Sequence, residues 1–147
     1  MGPSLGLEAA AGAARRVRWG VVMRALKMLW ALPNTLVGLL LGLLSFDWPR
    51  WEPRGALVFE SERGFRKYHS DRGYAAITFG HVIITGPRPG EKLLRHELAH
   101  VAQYEKWGPL FMPAYVYHFV RLALAGQDGY TDNPFEREAR EAEHDAL

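Results

Sequence analysis

Residues 28–46 form an apolar run (MLWALPNTLVGLLLGLLSF) without an ionisable side chain. At about 1.5 Å per residue, a helix of this length crosses most of the hydrocarbon core of a bilayer. The run predicts a membrane segment, or else a helix of a soluble domain that packs on a second apolar stretch at residues 110–125. Pro33 and Asn34 interrupt it, because proline removes a helical hydrogen bond and an amide is costly in lipid. Two short helices that meet at a turn, inserted as a hairpin, fit the run as well as one spanning helix.

The segments that flank the apolar run suit a membrane location. Residues 1–14 are rich in Gly and Ala, lack periodicity and are predicted to be a disordered lead-in. Residues 15–27 form a basic amphipathic segment of the kind found at bilayer interfaces. No small-residue cleavage site follows Leu44, so we expect the segment to be retained as an anchor. Tryptophans suited to the headgroup level lie in or beside these segments, at Trp19, Trp30, Trp48 and Trp51.

Basic residues are distributed unevenly about the apolar run. Five of them lie within residues 15–27, whereas Arg50 and Arg54 follow the run. The positive-inside rule then predicts a cytoplasmic N-terminus and a C-terminal domain on the other side, and a hairpin would reverse this topology. Within the run, Gly38 and Gly42 form a GxxxG pair that could let another helix approach closely.

Residues 47–147 are predicted to form one globular α+β domain, after a linker at residues 49–53 (PRWEP). Segments rich in Val, Ile, Phe and Thr between turn residues predict strands, and apolar residues at three- and four-residue spacings predict helices. The Asn133-Pro134 pair is typical of a helix start. The predicted strands cover residues 56–60 and 75–85, and the predicted helices cover residues 93–107, 110–125 and 134–147.

Composition excludes several kinds of chemistry. The chain has no Cys, so disulfides, thiolate metal sites and cysteine nucleophiles are excluded. Its 18 Lys and Arg are nearly balanced by 16 Asp and Glu, and this balance argues against a nucleic-acid partner. A transition metal would have to be bound by His, carboxylate and water.

The predicted helix at residues 93–107 contains the sequence HELAH, from His96 to His100. Residues four apart share one face of a helix, so both imidazoles can face a single ion. Glu97 would lie beside that ion, where its carboxylate could take a proton from the water that attacks a peptide carbonyl. The spacing predicts a zinc site with Glu97 as general base; the alternative is a chance match on a solvent-facing helix.

Catalytic zinc needs a third protein ligand. The residues after His100 exclude the metzincin arrangement, and His118 lies in an apolar helix, where a core or interface role is expected. We predict Glu136 as the third ligand, because it lies in the first turn of the last helix, where the helix dipole favours a negative charge. Glu138 is the next candidate. Glu141 and Glu143 are interpreted as a solvated helix face.

HELAH together with the downstream NPFEREA resembles the gluzincin zinc metallopeptidases, in particular the minigluzincins and the HtpX-like and CAAX-prenyl peptidase cores. The resemblance covers about residues 75–143. It implies a zincin-like α+β fold, a bound Zn²⁺, a peptide or protein substrate, and Glu136 as zinc ligand in an ExxA motif that ends at Ala139. It also implies that the edge strand, residues 75–85, binds an extended substrate. Arg140 departs from the family, in which an Asp at this position braces the first His.

Tyr130 is a candidate donor to the oxyanion of the reaction, although an ordinary loop tyrosine is the alternative. Gln103, one turn after His100, is expected to contact substrate or hold a water, and His81 is predicted to be an exposed strand residue. We therefore expect a zinc metallopeptidase associated with a membrane, which the resemblance places at a bacterial inner membrane. The other reading is a membrane-tethered interaction domain that binds zinc and is catalytically weak or inactive.

Overall fold

The computed structural model describes residues 4–144, and the side chains of residues 15–144. It has an α+β architecture: a long N-terminal helix, a small mixed sheet of four strands and four further α-helices. The helices are α1 (Ser4–Leu43), α2 (Gly64–Ser70), α3 (Glu91–Trp107), α4 (Phe111–Leu124) and α5 (Pro134–Ala142), with a 3-10 turn at Gly108–Leu110. The strands are β1 (Arg50–Glu52), β2 (Ala56–Glu60), β3 (Ala76–Phe79) and β4 (Val82–Thr85).

The sheet has the strand order β1-β2-β4-β3. β1 and β3 are antiparallel to their neighbours, whereas β2 and β4 are parallel. The predicted strand at residues 56–60 and the predicted helices at residues 93–107 and 110–125 are confirmed. The predicted last helix begins at Pro134 but ends at Ala142, and residues 145–147 of that prediction lie outside the described residues. The predicted strand at residues 75–85 is instead a hairpin, because Gly80 has a φ of +59°, which is left-handed backbone suited to a tight turn. The predicted linker at residues 49–53 contains β1.

Helices cover both faces of the sheet. Ala56, Val58 and Ile83 pack against Leu94 and Val101 of α3. On the opposite face, a cluster of buried strand side chains meets Leu39 and Leu41 of α1; we call it the second core, formed by Phe59, Val82 and Ile84. All four residues of β4 are buried as a result. The apolar run at residues 28–46 therefore supplies one wall of the hydrophobic core.

α1 is one continuous helix with Pro33 in its interior, so the prediction of two helices meeting at a turn is wrong. It begins at Ser4, whereas the sequence predicts disorder as far as residue 14. Gly38 and Gly42 do allow a close approach, but by the sheet: Gly38 lies against Val82 and Gly42 against the ring of Phe59. A side chain at either glycine would overlap these residues.

Asn34 and Thr35, within α1, make hydrogen bonds to other parts of the protein. Asn34 Nδ2 donates to the carbonyl of Gly108 (3.1 Å), and Thr35 Oγ1 accepts from the backbone N–H of His81 (3.1 Å). His81 is buried in the β3–β4 turn, with its Nε2 3.3 Å from Glu105 Oε1, so the prediction of an exposed strand residue is wrong. These contacts explain how an amide and a hydroxyl are tolerated in an apolar helix.

Within the described residues, one helix, at Arg15–Leu43, is long and apolar enough to cross a membrane. Length and composition alone are weak support for crossing, because a signal sequence or a core helix of a soluble protein meets the same test. Much of this helix is exposed on the side that faces away from the sheet, including Leu29 and Leu40.

Candidate metal centre

Two helices bring three potential metal ligands together. His96 and His100 lie one turn apart on α3, and Glu136 lies in the first turn of α5. Asn133 caps α5, since its side chain accepts a hydrogen bond from the backbone N–H of Phe135. All three ligand side chains are buried. The two imidazole Nε2 atoms are 3.2 Å apart, and the Glu136 carboxylate oxygens are 3.3 Å from His96 Nε2 and 3.5 Å from His100 Nε2.

The spacing of these atoms fits a bound metal ion. Ligand atoms held tetrahedrally at about 2.0–2.1 Å from an ion are about 3.3 Å from one another. The Nε2–Nε2 separation lies close to that value, as do the separations of His96 Nε2 from Glu136 Oε2 and of His100 Nε2 from Glu136 Oε1. Moreover, Glu136 Oε2 is buried and makes no hydrogen bond to the described residues, and a buried oxygen without a partner is costly unless a cation satisfies it. His96, His100 and Glu136 could therefore bind a metal ion.

The site is electrostatically suited to a cation. Burial disfavours the charged form of Glu136, but its close contacts with the imidazoles of His100 and His96 outweigh burial and hold the pKa of this carboxyl far below its usual range. Burial likewise opposes protonation of His96 and His100, yet the nearby Glu136 carboxylate raises the pKa of both imidazoles. A carboxylate that favours its charged form thus lies beside two imidazoles in a buried cluster.

Glu97 lies beside this cluster and faces the same cavity. Its Oε2 accepts a hydrogen bond of 2.7 Å from Thr78 Oγ1, on the edge strand β3. Burial raises the pKa of Glu97 above its usual range, against the opposing effects of His100 and Thr78. The carboxylate is fixed by one donor and is poised to exchange a proton with a group in the cavity.

Both imidazoles are oriented through their second nitrogen. His100 Nδ1 is 2.8 Å from Gln103 Oε1, and the Gln103 amide donates to the carbonyl of Phe135 (2.9 Å). Gln103 thus positions a ligand, a role different from the predicted contact with substrate or water. Its amide also donates to Glu138, which lies outside the ligand cluster.

His96 is held by a carboxylate that the sequence interpretation missed. Its Nδ1 is 2.9 Å from Glu143 Oε1, while the second Glu143 oxygen pairs with Lys92 (3.1 Å). The interpretation of Glu143 as a solvated side chain is therefore wrong. Arg140, which stands where the resemblance implies an Asp that braces the first His, does not take this role; its guanidinium donates a hydrogen bond to the carbonyl of Thr131. Glu143 follows Glu136 by seven residues, about two helical turns, so the helical period could have indicated that both face α3.

Two tyrosines lie near Glu136. Tyr115 of α4 donates a hydrogen bond of 2.8 Å to Glu136 Oε1, a contact that no sequence signal indicated. Tyr130 lines the same cavity, and burial, followed by the charge of Glu136, raises its pKa to about 12. It is also partly exposed, and its ring meets the edge of Tyr74 at 6.0 Å. His118 lies away from the cluster, against Phe135.

The cavity in front of these residues measures about 330 Å³. Its walls are mostly apolar and come from β3 and α4, with Ile77, Phe79, Phe111, Met112 and Phe119 among them. The candidate ligands and Glu97 form its polar side. The site therefore combines an apolar binding space with a small group of charged residues, as ligand-binding clefts commonly do.

Replacing Glu143 by Gln is expected to weaken metal binding about 10–100-fold, because carboxylates that hold ligand imidazoles fix their orientation and raise their basicity. Competition with a chromophoric chelator for Zn²⁺ measures the change. Glu141→Gln, an exposed change on the same helix, is the matched control and should leave affinity unchanged. Equal affinities for wild type and Glu143→Gln would show that the contact with His96 has no such role.

No protein-family model, curated protein or solved structure matches this chain. The chemistry of the site therefore follows from its own residues: two imidazoles and a carboxylate that could bind a metal ion, with a second carboxylate beside them in an apolar cavity.

Proposed function

We propose that this chain is a zinc-dependent metallopeptidase of the gluzincin type, with a zincin-like fold. One observation carries the proposal: His96, His100 and Glu136 converge at ligand distances, while Glu97 faces the cavity beside them. Nitrogen and carboxylate ligands at these separations suit Zn²⁺, and three protein ligands leave a coordination position open. A purely structural zinc site would use a fourth protein ligand and would not need an adjacent buried carboxylate.

Bound Zn²⁺ would supply Lewis-acid polarisation of a peptide carbonyl and lower the pKa of a water molecule. Glu97 would accept a proton from the attacking water and pass it to the leaving amine, with Thr78 holding the carboxylate in place. Tyr130 would donate a hydrogen bond to the carbonyl oxygen as it gains negative charge. Tyr115 is already engaged by Glu136, and its role is to hold that ligand.

The edge strand supports a peptide substrate. β3 pairs only with β4 among the described strands, so its other side offers backbone groups to an extended peptide. Thr78 connects this strand to Glu97, and Ile77 and Phe79 line the cavity. A peptide added to β3 would pass in front of the ligand cluster, and the cavity would accept one of its apolar side chains.

Zinc-dependent cleavage by the full chain tests the proposal. We expect about one equivalent of zinc, hydrolysis of a peptide library, loss of hydrolysis with a chelator and recovery on addition of Zn²⁺. His96→Ala should lose both metal and activity, whereas His144→Ala, an exposed histidine beyond α5, should keep both. Bound zinc without cleavage would favour the interaction domain, and zinc retained in His96→Ala would overturn the ligand assignment.

A further inference from the structure

The face of α1 that points away from the sheet has no protein partner among the described residues. Every exposed side chain of residues 28–44 is apolar. The apolar face continues toward the N-terminus through Val22 and Leu26, so it extends over about 33 Å of helix. We call it the outer face of α1, formed by Val22, Leu26, Leu29, Leu32, Leu36, Val37, Leu40, Leu43 and Leu44.

The composition of α1 indicates which surface covers this outer face. A helix that pairs with a second copy in water normally flanks its apolar seam with polar residues. Here the exposed residues beside the seam are also apolar, and Trp30, Leu32 and Val37 would remain in water in a helix pair. A bilayer can cover the whole outer face, because lipid contacts a wider arc of a helix than a second helix does.

Charge and aromatic residues indicate the same partner. From Arg15 to Leu43 the chain has five basic residues and no acidic one. Arg15, Arg16 and Arg18 are exposed at the N-terminal side of the outer face, where anionic headgroups would meet them. Trp19 near one end and Trp48 beyond the other are exposed, at 60 % and 85 %, as expected for side chains at headgroup level.

The inner face of α1 is incompatible with a simple crossing of the bilayer. It packs on the sheet through Gly38 and Gly42 and is bonded to Gly108 and His81 through Asn34 and Thr35. If the helix crossed the membrane, the sheet would have to enter the hydrocarbon, together with exposed ion pairs such as Arg50–Glu60. Charged groups and irregular backbone facing lipid are strongly unfavourable.

We propose that α1 lies lengthwise on an anionic bilayer, with its outer face in the lipid and the sheet on the aqueous side. The protein would then be attached to one leaflet without crossing it. This attachment requires no metal and no catalysis, so it is independent of the proposed function.

Binding of the purified full chain to vesicles tests the proposal. We expect it to sediment with phosphatidylcholine vesicles that contain about 30 % phosphatidylglycerol, and more weakly with phosphatidylcholine alone or at high salt. Changing Leu36 and Leu40 together to Gln should weaken binding at least about tenfold. The control changes Val120 and Leu124 to Gln, since both are also exposed, at 47 % and 84 %, but lie on α4. No binding, or equal loss in both double variants, would overturn the proposal.

Orientation is tested in membranes of living cells. Because the chain has no Cys, Arg16→Cys and Ser70→Cys each introduce a single thiol, one near the start of α1 and one in the domain. Both thiols should be labelled to the same extent by a membrane-impermeant maleimide, in intact cells and again after permeabilisation. Opposite accessibility would show a crossing helix. A lipid-free dimer that Leu36→Gln and Leu40→Gln dissociate, without vesicle binding, would assign the outer face to a second copy.

Discussion

Replacing Glu97 by Gln should reduce peptide hydrolysis by about 10²–10⁴-fold while leaving the metal bound, since that is the usual contribution of a general base. Glutamine keeps the size of the side chain and can still accept the hydrogen bond from Thr78. It cannot take up a proton. Because Glu97 lies outside the ligand cluster, zinc content should remain near one equivalent. Initial rates on one cleaved peptide, with metal analysis of the same samples, measure both effects.

Glu91→Gln is the control for this experiment, because Glu91 lies in the first turn of the same helix and is exposed. It should cleave at the wild-type rate. Hydrolysis by Glu97→Gln within about tenfold of wild type would remove Glu97 from the reaction. Loss of zinc together with activity would instead give Glu97 a role in shaping the site.

Deleting residues 1–46 should prevent the remaining chain from folding. The deletion uncovers the second core, whose Phe59, Val82 and Ile84 are completely buried in the full chain. Burial of a large apolar side chain contributes about 1.5–3 kcal/mol, so the loss approaches the whole net stability of an ordinary domain, about 5–15 kcal/mol. Circular dichroism and limited proteolysis of the 47–147 fragment would show an unfolded, protease-sensitive chain.

Deletion of residues 1–14 is the matched comparison, since it removes none of the side-chain contacts described above. This shorter chain should melt cooperatively and bind the same metal as the full one. A 47–147 fragment that melted cooperatively at a similar temperature would show that α1 is separable from the sheet.

The three candidate metal ligands could be predicted because each follows from a local sequence pattern. HELAH places two imidazoles on one helical face, and Glu136 follows a clear helix start at Asn133-Pro134. The structure brings these three residues together. Tyr115 could not be predicted in the same way, because its contact with Glu136 depends on how α4 packs against α5, and no spacing within the chain encodes that packing.

The position of α1 could not be predicted for a different reason. An apolar helix of leucines, with two glycines and no charged residue, is compatible both with lipid and with the core of a protein. Deciding between them requires knowing that the sheet has a second apolar face to cover, and the hairpin turn at Gly80 and His81 creates that face from a stretch interpreted as one strand. Asn34, which argued against a simple span, and the Gly38/Gly42 pair were indications in the sequence of protein contacts.

The strand β3 has α1 on one side and the candidate general base on the other. Phe79 contacts Gly38 of α1, and its neighbour Thr78 holds Glu97, because consecutive strand residues point to opposite faces. The N-terminal helix therefore cannot be exchanged as an independent module. A replacement taken from a membrane-anchored protein would need two glycines at the same spacing, and a bulkier helix would shift the strand that holds the carboxylate. Fusions of a foreign helix to this domain should therefore be tested for the proposed hydrolysis as well as for vesicle binding.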